Sequence, residues 1–188
     1  MPRYVAFLRA VNVGGRFVKM ADLARYFETL GHADVQTFIA SGNVIFRSRG
    51  RSAGVLAQTL AAGLEPLLGF HTEAFVRSDA ELQALAQRAA AQQVAHRAAV
   101  GPQGEVNVAL LAQPLSAAQA TALAGLRTEL DDFVHSGSEV YWLCRSKQSD
   151  STFSNAVFER KLGAKTTIRR AGMLERLAEQ LHTEGGKG

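Results

Sequence analysis

The residues with the strongest claim to chemistry lie in "LRAVNVGGRFVKM", positions 8–20. An apolar run stops at Asn12, Gly14 and Gly15 follow, Arg16 and Lys19 add two cations, and a helical pattern begins at Met20. Adjacent glycines let backbone N–H groups converge on one point, and cations beside them favour an anion such as a phosphate. The connection from Val11 to Lys19 takes nine residues, whereas strand-to-helix connections usually take about 2 to 6. Extra length at the carboxyl end of a strand, feeding a helix N-terminus, is where anions bind well. Asp22 opposes this, because a carboxylate in the first turn already complements the helix dipole. The same glycines also suit a plain turn with solvated cations, and the residues alone leave both readings open.

A second group is Ser41, Gly42 and Asn43, where "VQTFIA" and "NVIFRS" meet as a hairpin. A type I′ or II′ turn explains Gly42 and Asn43 without any ligand. With the second strand taken as antiparallel to the first, this turn is expected at the opposite end of the sheet from the Asn12–Lys19 loop.

Other chemistry is hard to place. The chain has no G-x-S-x-G elbow, HExxH, C-x-x-C, Walker A or G-x-G-x-x-G pattern. Its five histidines fall on different elements with no metal-ligand spacing, so no metal site is expected. Asp131 and Asp132 are sequence neighbours that point apart on a strand, and they read as a turn marker. Cys144 is the single cysteine, in the strand-like "VYWLCR", and reads as a buried inert thiol.

The elements that must position these residues fall into a repeating order. "RYVAFLRAV" has strand length and composition. "MADLARYFETLG" places Met20, Leu23, Phe27 and Leu30 at helical spacing. After the hairpin come a leucine-faced helix, "AGVLAQTLAAGLEPLLG", and a strand, "HTEAFVR". The second half repeats strand ("EVNVALLA"), helix capped at Ser116, hairpin turning at Ser136-Gly137, helix, and strand ("AKTTIR"), then adds "MLERLAEQL". "FIASGNVIFRS" and "FVHSGSEVYWLCRS" resemble one another, as an internal duplication would require. The fold class is therefore α+β, with two ferredoxin-like (βαββαβ) units, a connecting helix and a C-terminal helix. Ser78 and Glu81 form a capping box for the connecting helix, which fades near residue 95. The expected division is 1–95 and 96–188. Strands such as "YVAFLRAV" are apolar on both faces, so the sheets should be covered on both sides rather than left free to stack bases.

Composition narrows the setting. A hydrophobic content of 47% with 20% charged residues suits a folded domain. No apolar run is long enough to span a membrane, and the N-terminal run is broken by Arg9, so the cytoplasm is the expected compartment. The formal charge of +4 permits an anionic partner without demanding one. Seven Lys or Arg lie between Arg145 and Arg170 against Asp150 and Glu159, a stretch that would serve nucleic acid or simply face solvent.

"LRAVNVGG", the Met20–Leu23 helix start, "LGHADVQTFIASGNVIF" and "FERKLGAKTTIRR" together resemble the bacterial family known as domain of unknown function 1697. The resemblance spans nearly the whole chain and implies two ferredoxin-like units, but no activity or cofactor. It matches the family signature at Asn12, Val13, Gly14, Gly15, Ser41, Gly42, Asn43, Thr167 and Arg169. The chain departs from it at Ala10 (usually Gly), at Ala40 (usually Gln), and at Arg169-Arg170-Ala171-Gly172-Met173, where the family tends to carry Arg-Asn-Trp-Asn-Thr. The leading expectation is a small anionic or phosphate-bearing ligand at Asn12, Gly14, Gly15, Arg16 and Lys19, with Ser41, Gly42, Asn43 and Arg169 as further candidates. Nucleic-acid binding through residues 145–170 and a structural or interaction role are the alternatives; no nucleophile or base marks an enzyme.

Overall fold

A computed structural model describes residues 1–50 and 52–185. The chain divides into two compact units, Met1–Leu82 and Gln83–Gly188. The division falls inside a long helix, earlier than the composition break near residue 95.

In the first unit, β1 (Arg3–Leu8), α1 (Met20–Thr29), β2 (Ala33–Phe38), β3 (Asn43–Arg47), α2 (Ala53–Leu68) and β4 (Ala74–Ser78) follow in order. The sheet order is β2-β3-β1-β4, and every neighbouring pair is antiparallel. One face packs Ala6, Leu8, Val44, Phe46 and Val76 against Leu23 and Phe27 of α1 and Leu56, Leu60 and Leu64 of α2. The apolar spacing of both helices supplies that contact. On the other face Val5, Phe7, Ile45 and Phe75 are equally buried.

The register corrects one expectation. Both β1 and β2 run antiparallel to β3, which lies between them, so β1 and β2 run in the same direction. A helix separates the two strands in sequence and returns the chain to the starting edge, as a crossover requires. The Asn12–Lys19 loop and the β2–β3 turn therefore share one end of the sheet. The turn itself is longer than expected: Phe38 pairs with Asn43, leaving Ile39, Ala40, Ser41 and Gly42 as the connection.

The helix α3 (Asp79–Val100) spans the division, and the second unit continues with β5 (Glu105–Leu110), α4 (Ala117–Ala124), β6 (Asp131–Ser136), β7 (Glu139–Cys144), α5 (Asn155–Leu162), β8 (Thr167–Arg170) and α6 (Ala171–Gly185). The sheet order β6-β7-β5-β8 repeats that of the first unit. Ala109, Val140, Trp142 and Cys144 pack against Leu123, Phe158 and Leu162. The expected caps form: Ser78 Oγ accepts from the Glu81 amide while the Glu81 carboxylate accepts from Ser78 N, and Ser116 with Gln119 makes a capping box. The helix α3 runs on to Val100, because its polar later residues are held in place: Gln93 and Arg97 both donate to Gly104 O. Among the described residues no helix is long and apolar enough to cross a membrane.

Candidate functional site

The site begins where β1 runs out of pairing. Arg9 N donates to Glu73 O at 2.9 Å, and Thr72 Oγ1 donates to Arg9 O at 2.7 Å, pinning the strand end to β4. Beyond that point the backbone turns left-handed repeatedly, with φ of 55° at Ala10, 60° at Asn12, 60° at Gly14 and 82° at Gly15. Val11 and Val18 are buried and anchor the two ends of the loop in the core, while residues 13–17 between them are exposed.

Asn12 closes the loop at its neck. Its Oδ1 accepts from Val18 N at 2.7 Å, and its Nδ2 donates to Ala40 O in the β2–β3 turn at 3.3 Å. One amide side chain therefore fixes the loop's width and ties it to the neighbouring turn. The turn is joined a second time, since Leu8 N donates to Gly42 O at 2.8 Å. A Cβ at Gly42 would lie 3.2 Å from both Leu8 Cβ and Val11 Cβ, so only glycine permits this approach, at a φ of 72°. Asn43 is fully buried; its Nδ2 donates to Phe38 O and Ser41 Oγ, closing the turn from inside. Ser41, Gly42 and Asn43 thus build the turn.

Gly14 and Gly15 differ from Gly42. A Cβ on either would meet no atom within 4 Å. Their positive φ favours glycine, and the space beside them is open. Arg16 places its guanidinium 5.1 Å from the centre of the Phe70 ring. Lys19 stands at the N-cap of α1 without capping it through its side chain, and Asp22 in the first turn is paired with Arg25. The carboxylate expected to repel an anion is thus already partnered. On the β4 side Glu73 contacts Arg9 and His71, and His71 also reaches Glu65. The Glu65 hydrogen bond, more than the nearby Glu73 charge, holds His71 above its ordinary pKa. The exposed part of the loop and turn also carries Val13, Phe17 and Ile39.

Arg169 belongs to β8 of the second unit. Its Nη1 donates to Thr167 Oγ1 at 2.8 Å and Ile168 O at 3.0 Å, and burial pushes its pKa down to about 10. Cys144 is buried, and desolvation raises its pKa, as an inert thiol requires. Among the described residues no cluster of His, Cys, Asp or Glu could hold a metal ion. Asp131, read from sequence as a turn marker, instead opens β6 as a buried acceptor for Trp142 Nε1, Ser151 Oγ and Thr128 Oγ1. The sequence signal for this is weak, because two of its three donors, Trp142 and Ser151, lie 11 and 20 residues away in the chain.

In the second unit residues 111–116 join β5 to α4, and the connection lacks glycine. Leu111 N donates to Ser138 O at 2.9 Å, as Leu8 N does to Gly42 O in the first unit. The frame recurs, and the long glycine loop does not.

Residues 1–141 match the family model described as "Protein of unknown function (DUF1697)". The chain is similar to the conserved bacterial protein SP0830 from Streptococcus pneumoniae, with 21% sequence identity and a TM-score of 0.69 over 97% of this chain and 99% of that one. At that identity the likeness shows a shared fold alone. None of the curated proteins matches the chain.

Proposed function

The chain belongs to the DUF1697 family of proteins of unknown function, and on that premise we propose that it binds a small phosphate-bearing or other anionic ligand at the loop–turn junction of its first unit. The observation that carries this reading is the pair of bonds from Asn12 to Val18 N and Ala40 O. They brace a left-handed stretch whose two glycines face open space. Successive amides in such a stretch are suited to an anion. A braced loop loses less conformational entropy on binding than a free one. In this reading Gly14 and Gly15 offer backbone N–H groups, and Arg16 and Lys19 supply charge. Asn12, Ser41, Gly42 and Asn43 hold the frame. Arg169, on the second unit, bonds within its own strand, and the reading rests on the first unit's residues alone.

We also read each unit as ferredoxin-like and the two as products of duplication. Support comes from the identical strand order and the recurrent Leu8–Gly42 and Leu111–Ser138 bonds. Cytoplasmic residence belongs to the same reading, supported by a single buried thiol. The basic stretch is not read as a nucleic-acid surface. Arg160 and Lys161 sit in the last turn of α5, where cations complement the helix dipole, and Lys165 pairs with Glu159.

The test is a titration of 15N-labelled protein with inorganic phosphate and pyrophosphate, followed amide by amide. Saturable shifts at Gly14, Gly15 and Arg16, lost in an Arg16→Ala, Lys19→Ala double variant, are expected. Unmoved amides across residues 12–19 at millimolar anion would sink the proposal.

A further inference from the structure

The second unit contains a cavity of about 310 Å³ at the junction of β8 and α6, lined by no residue of the proposed loop site. Three arginines from three elements line it: Arg97 from α3, Arg170 from β8 and Arg176 from α6. Glu105 is the one carboxylate among the lining residues, and it already accepts a hydrogen bond from Gln148 N at 3.2 Å.

Two of the guanidinium groups are fixed by their inner nitrogens. Arg97 Nε donates to Gly104 O at 3.2 Å, and Arg176 Nε donates to Gly172 O at 3.4 Å. Among the described residues the η nitrogens of all three arginines have no protein acceptor. Those are the paired donors that match phosphate oxygens. Three like charges around one cavity repel each other, and a multiply charged anion between them reverses the sign of that interaction.

The backbone adds to this. β8 passes into α6 without an intervening loop, so Ala171, Gly172 and Met173 of the first turn also line the cavity. The N–H of Gly172, in the first turn, lacks an intrahelical acceptor, and no acidic residue occupies this turn to offset the dipole. A Cβ at Gly172 would meet nothing within 4 Å, so the helix start is open to an approaching group. The residues involved, Arg170 to Met173, are also those where the chain departs from the pattern of the family it resembles.

We propose that this cavity is a second anion site, distinct from the loop site, for a small ligand bearing a phosphomonoester or diphosphate group. Its size suits a small phosphorylated molecule. The three arginines are exposed at the mouth of an open cavity, and a nucleic-acid backbone would need an extended cationic track rather than one compact cluster.

Pyrophosphate titrated into the 15N-labelled full chain tests this, because amide shifts separate the two sites. Saturable shifts at Gly172, Met173 and Val106 are expected in the wild type. Arg170→Ala should weaken binding about tenfold, the loss of one charge-assisted hydrogen bond. Gly172→Asp keeps the fold intact, since a carboxylate in the first turn favours the helix, while its charge should abolish the shifts. Shifts confined to residues 12–19 would support the loop site and overturn this one, and shifts confined to the cavity would do the reverse. Wild-type affinity in both variants would overturn the cavity site, as would a single-stranded RNA that binds there more tightly than pyrophosphate.

Discussion

Asn12 and Val18 stand at the two edges of one loop, and the Asn12 side-chain oxygen accepts the Val18 amide hydrogen at 2.7 Å. The other end of the same side chain reaches Ala40, so a single residue sets the loop's width and its distance from the hairpin. Asn12→Ala should therefore cost about 1–3 kcal/mol, because it removes both bonds and leaves the Val18 amide unpaired near the core. Alanine is also poorly suited to the φ of 60° at this position. Urea unfolding gives the cost directly, and a loss within a few tenths of a kcal/mol would mean that the brace is dispensable.

Gly42 and Gly14 have similar φ but different surroundings. Gly14→Ala should cost about 1–2 kcal/mol, the conformational penalty of a left-handed alanine. Gly42→Ala adds a methyl group 3.2 Å from Leu8 Cβ and Val11 Cβ. That crowding should contribute about 1–3 kcal/mol more. Equal midpoints for the two variants would show that the turn yields without cost.

Ala10 is a left-handed residue with a Cβ, φ 55°, at the position where the resembling family usually carries glycine. Ala10→Gly relieves a penalty of about 1–2 kcal/mol and adds unfolded-chain entropy of about 0.4–1 kcal/mol, so a net gain between zero and about 1.6 kcal/mol is expected. Calorimetry checks the sign, and a lowered melting temperature would contradict the expected release of strain.

His71 donates to or accepts from Glu65 at 2.9 Å, and this hydrogen bond is the chief reason that its pKa lies above the ordinary value. A raised folded-state pKa means that the protonated form favours the fold. The contribution is complete below the ordinary histidine value and is lost as pH rises through the raised one. Proton NMR titration should show His71 returning toward the ordinary value in Glu65→Gln, and an unmoved titration would assign the shift to Glu73 instead.

Local signals were sufficient for most elements. Met20, Leu23 and Phe27 at helical spacing are enough to place α1, and the Ser78–Glu81 and Ser116–Gln119 pairs mark two helix starts, because these interactions span only a few residues. Boundaries that rest on distant contacts were not legible. The helix α3 continues to Val100 because Gln93 and Arg97 are held by Gly104.

The candidate site divides in the same way. The chain itself specifies an over-long glycine loop and a glycine-containing hairpin, since residue types and connection length are local properties. That the two meet was settled by strand direction: β1 and β2 run in the same direction because β3 inserts between them. The roles of Asn12 and Gly42 follow from that meeting, through contacts between residues about thirty positions apart, which no local pattern encodes. The arginine-lined cavity is more distant still from a sequence signal. Arg97, Arg170 and Arg176 belong to three different elements and share one space only once β5 and β8 have paired.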